Sequence, residues 1–211
     1  MMSTGTKVRV TAPGGTDIVI GTKGRKPFSD DGDFRRPGRA GNIPSGEVYI
    51  SPELGTATGT IAFDGSIVLH EGEIVIKKPI LAEVRNGFIT SITGGSEARK
   101  LEESVRLGER KAREGGKDGT IRPDKVHAYL KNARSIGELG IGLNRKAKII
   151  ANMLEDEKVY GTCHFAVGSN YDNDAEALIH LDGIVKRPDI TIVDRSGKEK
   201  LLMENGRLAW D

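Results

Sequence analysis

At 211 residues and 36% hydrophobic content, the chain is long enough to bury its own core, and one metal-binding domain over residues 1–211 is expected. Its 32 basic and 30 acidic residues leave a formal charge of +2, which argues against nucleic acid or an anionic membrane surface as a partner. A single cysteine, Cys163, excludes an intramolecular disulfide, and there is no signal core or membrane-length apolar run, so a cytoplasmic location is the expectation.

The 28 glycines stand singly between short apolar runs, the pattern of many turns joining short strands. Runs at residues 7–10 and 17–20 flank Ala12-Pro13-Gly14-Gly15-Thr16 and predict a hairpin. Residues 23–41 mix charge, Pro and Gly and predict an exposed loop. From Glu47 onward, runs at 48–50, 59–63, 66–69, 73–76, 80–84 and 88–92 are punctuated by Asp64-Gly65, Glu71-Gly72 and Asn86-Gly87, a strand meander. A narrow apolar stripe over 96–114 predicts a helix that ends at Gly115-Gly116. A second helix is expected over 124–132 after Pro123, and a third from Asn144 through Met153. Between them, Gly137-Glu-Leu-Gly140-Ile-Gly142 reads as a loop that carries an acid. Strands return at 160–167, 178–181, 190–193 and 201–203. The sum is an α+β fold: a twisted, largely antiparallel or mixed β-sheet with about three helices, strand-rich at both ends. No glycine-rich phosphate motif links a strand to a helix, so nucleotide binding has no support.

Four histidines narrow the search for chemistry. His70 falls in a turn and His127 on a charged helix, and both read as solvated. His164 lies in an apolar strand, where a polar ring needs a partner. His180 and Asp182 are two residues apart, which in a strand puts both on one face. Taken alone, His164 and His180 each read more readily as a hydrogen-bonded core or surface residue than as a ligand. Glu47 opens a strand, and Glu138 is surrounded by Ile136, Leu139, Ile141 and Leu143, unusual company for a carboxylate without a partner. The run Glu155-Asp-Glu-Lys158 places acids at a helix C-terminus, against its dipole, and a cation near Glu157 would compensate.

These motifs occur in order: Asn42-Ile-Pro-Ser-Gly-Glu47-Val, Gly137-Glu138-Leu-Gly-Ile-Gly-Leu-Asn144, Glu155 through His164-Phe-Ala-Val-Gly168, and His180-Leu-Asp182. The series resembles that of the thermophilic aminopeptidase family over roughly residues 5–207, corresponding to the metal-binding C-terminal part of that family's longer chains. The resemblance implies a metallohydrolase with two divalent ions, zinc, cobalt or manganese, that removes N-terminal residues from peptides. It assigns Glu47, Glu138, His164, His180 and Asp182 as ligands, with Glu157 as a further one at altered spacing. It also assigns Tyr171 as an active-site hydrogen-bond donor, Glu47 or Glu138 as the proton shuttle, a peptide or small-molecule substrate and a homo-oligomer. Substrate contacts that the family draws from its N-terminal domain lie outside this resemblance.

The residue chemistry is compatible with that set, since paired metals about 3.5–4 Å apart can share a hydroxide and polarise a carbonyl. Two other readings compete. The same scaffold resembles that of a dihydroxypyridine ring-cleaving dioxygenase, in which His164, His180 and Asp182 would hold one iron(II) as a facial triad. A non-catalytic metal-binding or assembly protein is the third.

Overall fold

The computed structural model describes residues 5–211. Its strands are β1 (Gly5–Thr11), β2 (Asp17–Gly21), β3 (Phe28–Asp30), β4 (Glu47–Ile50), β5 (Thr58–Phe63), β6 (Ser66–Leu69), β7 (Gly72–Val75), β8 (Ile80–Arg85) and β9 (Phe88–Thr93). Helices α1 (Ser96–Asp118) and α2 (Pro123–Asn132) follow, then β10 (Ile136–Gly142), α3 (Met153–Asp156), β11 (Thr162–Gly168), β12 (His180–Lys186), β13 (Asp189–Asp194), β14 (Glu199–Glu204) and β15 (Arg207–Leu208). This is the α+β, strand-rich arrangement that the sequence predicts.

Two sheets form. The larger runs β15-β14-β13-β1-β2-β5-β8-β9 and the second β3-β4-β10-β11-β12-β6-β7, and the named strands pair antiparallel throughout. Strand β8 alternates buried and exposed residues, the mark of a sheet with one wet face. Strands β10 and β11 are buried at all seven positions. Their odd-numbered residues Leu139, Ile141, Cys163, Phe165 and Val167 join a core shared with Val8, Ile18 and Ile61 of the larger sheet and with Leu101 and Val105 of α1. With a side-chain period of two, their even-numbered residues face the other way. No helix among the described residues is long and apolar enough to cross a membrane.

Three local expectations are corrected. The glycine-rich segment 137–142 is a central strand, not a loop. Its glycines answer to close neighbours: a Cβ on Gly137 would lie 2.2 Å from the Ser169 carbonyl oxygen, and one on Gly142 would lie 2.1 Å from that of Val159. Helix α1 runs through Gly115-Gly116 and stops at Gly119, which takes the left-handed conformation at φ 84°. Those two glycines make room for Ile121 and Val126, which a Cβ would meet at 2.8 and 2.5 Å. The expected third helix shrinks to Met153–Asp156. Asn144 Oδ1 accepts from the Lys146 N–H, and the buried Asp156 carboxylate accepts from the N–H groups of Ile150 and Ala151, so side chains take the donors that a helix would have used. Within 23–41, residues 28–30 form the edge strand β3 beside β4.

Candidate metal centre

Register places the functional side chains. In the second sheet Glu138 of β10 lies opposite Ala166 of β11, which lies opposite Asp182 of β12. The neighbouring rows pair Gly140 with His164, Gly168 with His180, and Gly142 with Glu47 of β4. Directly opposed residues share a face, as do residues two apart along a strand. Glu47, Glu138, His164, His180 and Asp182 therefore share the face turned away from the core, over a floor of Gly140, Gly142, Ala166 and Gly168. That floor has to be small. A Cβ on Gly140 would sit 2.0 Å from His164 Nε2, so the imidazole rests on bare backbone.

The six carboxylates and imidazoles singled out in the sequence gather as two groups of three: Glu138, His180 and Asp182, and Glu47, Glu157 and His164, each with ligand atoms within 4.8 Å of one another. His164 thus falls with Glu47 and Glu157, not with His180 and Asp182 as the facial-triad reading expected. The groups touch where His164 Nε2 lies 3.1 Å from Glu138 Oε1 and 3.6 Å from Glu47 Oε2. His180 Nε2 is 3.3 Å from Asp182 Oδ1 and 3.6 Å from Glu138 Oε2. His180 Nδ1 donates to the Ser169 carbonyl at 2.9 Å, which leaves Nε2 as the ligating nitrogen of the neutral ring. Glu47 Oε2 and Asp182 Oδ1 are buried without a hydrogen-bond partner, an arrangement that a cation would satisfy.

Electrostatics follow from packing this many charges out of water. Burial raises the Glu47 carboxyl to about 7 against the opposing charges of His164 and Lys158. Burial raises Glu138 as well, countered by its hydrogen bond from His164. For His164, burial disfavours the charged ring, but the bond to Glu138 and the charges of Glu138, Glu47 and Asp182 outweigh it and push the ring up to about 9. His180 likewise reaches about 9: burial opposes, while Asp182 and Glu138 favour its proton. Asp182, despite its burial, is held low by His180.

Three features escape a reading of the sequence. Lys158, which closes the charged run 155–158, is fully buried and donates to Glu47 and Glu157, so the cation foreseen near Glu157 is the adjacent residue's own ammonium. Tyr49 and Phe28 extend the site as an aromatic ladder. Phe28 stacks on Tyr49 at 5.4 Å, Tyr49 meets Tyr171 at 5.0 Å, and Tyr171 stands edge-on to His180 at 5.3 Å. Tyr49 was findable, because it is two residues from Glu47 on the same strand face. His70 and His127 are exposed, as expected.

A family model described as NicX: 2,5-dihydroxypyridine 5,6-dioxygenase matches residues 1–196. A 2,5-dihydroxypyridine 5,6-dioxygenase of Pseudomonas putida KT2440 is 25% identical over 171 residues, covering 76% of this chain and 43% of that protein. The solved structure of a 2,5-dihydroxypyridine dioxygenase from the same organism matches with TM-score 0.77 at 22% identity, over 100% of this chain and 57% of that one. Wild-type AmpT from Thermus thermophilus matches with TM-score 0.70 at 18% identity, over 97% and 50%. The chain thus spans about half the length of these proteins. The matches correct the expectation of an aminopeptidase, and with it the terms hydrolase and metallopeptidase: the family and the curated relative are ring-cleaving oxidoreductases. The likeness to AmpT is one of fold, and a shared fold does not fix a reaction.

Proposed function

The chain belongs to the NicX, 2,5-dihydroxypyridine 5,6-dioxygenase, family, and from that premise we propose that it is a metal-dependent dioxygenase that opens a hydroxylated aromatic ring, with iron(II) held by Glu138, His180 and Asp182. The observation that carries this reading is the convergence of those three side chains, with Asp182 Oδ1 buried and unpartnered among them. One imidazole and two carboxylates suit a divalent first-row ion and leave coordination positions open. When bound, iron supplies the redox chemistry that puts both atoms of dioxygen into the ring.

The protein's own groups do the rest. The Ser169 carbonyl fixes the tautomer and angle of His180, and the His164 N–H holds Glu138 by one oxygen, leaving Oε2 toward His180. The ladder of Phe28, Tyr49 and Tyr171 offers a planar substrate offset and edge-on contacts, worth about 0.5–1.5 kcal/mol per aromatic pair. Tyr171 is 52% exposed, open to an incoming ring. Burial and the charges of Glu138 and Asp182 push its hydroxyl upward, so it stays protonated and can donate a hydrogen bond to an anionic ring oxygen. Glu47, raised to about 7, can hold or release a proton at its unpartnered Oε2.

The test is anaerobic loading of the full chain with iron(II), followed by addition of 2,5-dihydroxypyridine and air. Oxygen uptake matching the loss of ring absorbance is expected. Full iron occupancy with no uptake would sink the reading.

A further inference from the structure

Lys158 has no exposed side-chain surface. Its Nζ donates to Glu47 Oε1 at 2.9 Å and to Glu157 Oε1, and those carboxylates supply two of the three donors in the Glu47, Glu157, His164 group. We propose that Lys158 is a built-in cation that restricts this centre to a single metal ion, closing the Glu47, Glu157, His164 group to a second. The proposal rests on the metal reading above only for the first ion.

A buried carboxylate, Glu47, and a partly buried one, Glu157, need positive charge. An ammonium supplies it through hydrogen bonds and has no lone pair with which to join a coordination sphere. A divalent ion placed between the same oxygens would lie in direct contact with a like charge in a region that screens poorly. The lysine cannot easily withdraw, because its backbone is pinned at both ends: its N–H donates to the Glu155 carbonyl at 2.9 Å and its carbonyl accepts from Asn144 at 2.8 Å. Asn42 Nδ2 donates to the same Glu157 oxygen at 3.1 Å, so an entering metal would displace two donors there. Glu47 is 6% exposed and its Oε2 has no partner. Without the ammonium, both oxygens of Glu47 would stand free and Glu157 Oε1 would keep only Asn42, beside the His164 imidazole, a donor set that takes a divalent ion.

The experiment titrates manganese(II) into the full chain, read by calorimetry and electron paramagnetic resonance. The wild type is expected to take one ion per chain with an uncoupled six-line signal, Lys158→Ala to take two with an exchange-broadened signal, and Lys158→Arg to remain at one. Two ions in the wild type overturn the proposal, a result that stands even where Lys158→Ala fails to fold. A folded Lys158→Ala that stays at one overturns it equally, while leaving the first site intact. No ion in the wild type and one in Lys158→Ala would keep the lysine's role and instead sink the metal reading of Glu138, His180 and Asp182. No ion in either overturns both.

Discussion

The two halves of the site are built from the same parts, one imidazole and two carboxylates each, yet they differ in what neutralises them. Around His164, its Nε2 and the Oε1 atoms of Glu47 and Glu157 already have partners within the protein and a buried lysine supplies the charge, while Glu47 Oε2 and His164 Nδ1 are left without one. Around His180 no lysine or arginine makes an ion pair among the described residues, and the imidazole itself is a quarter exposed. On the metal reading proposed above, a carboxylate cluster becomes a structural ion pair or a ligand set according to whether the chain brings its own cation.

The largest effect that tests this contrast is expected on the His180 side. Asp182→Asn or His180→Ala should weaken iron binding more than about 100-fold, beyond what loss of a supporting partner alone causes, as read by elemental analysis after dialysis. Unchanged occupancy in both variants would break the contrast. Gly140→Ala comes next. Its Cβ would fall 2.0 Å from His164 Nε2, so the ring must leave its seat, at about 1–3 kcal/mol of stability in urea unfolding and with weaker metal uptake through the loss of its hold on Glu138. Tyr171→Phe should lower turnover about 10–100-fold, below the value for a dedicated oxyanion donor because the residue is half exposed, and leave iron content unchanged. A parallel loss of iron would make the tyrosine a packing residue.

The smallest effect lies outside the site. Arg134 pairs with Glu102 and Glu109 at 2.7 and 2.9 Å, and Arg134→Met should cost about 1 kcal/mol. The Glu102 carboxyl is held below its ordinary value of 4.5 first by its hydrogen bond with Arg134. Its contribution is therefore complete above that value and fades as pH falls through the lower folded one. Urea midpoints of wild type and variant should converge in acid. A constant gap would assign the loss to packing instead.

Much of the fold was legible because turns and alternation are local signals. Asn86-Gly87 marks a hairpin whichever sheet it joins, and the strands on either side of it are where the pattern puts them. Gly137–Gly142 misled because the same residue serves as a hinge in a loop and as clearance in a crowded strand. What decides between the two is the His164 ring, 24 residues beyond Gly140 in the sequence and directly across the sheet. The fate of Lys158 was invisible for the same reason, since its neighbours Glu155 and Asp156 look solvated until β4 is laid beside β10. The residues that converge were found through the order of their motifs. The reaction was not, because one fold is shared by a 2,5-dihydroxypyridine dioxygenase and by AmpT, and a fold does not fix a reaction.

The small-residue floor under the imidazoles has a mechanical consequence. Side chains that stand on three adjacent strands, two of them buried along their whole length, inherit the stiffness of the sheet, and central strands of this kind are where amides exchange last with solvent. On the metal reading proposed above, the donor atoms would sit in nearly the same place before and after an ion or a substrate arrives. Adaptation to a substrate ring would then fall to the exposed rings of Phe28 and Tyr171 at the margins.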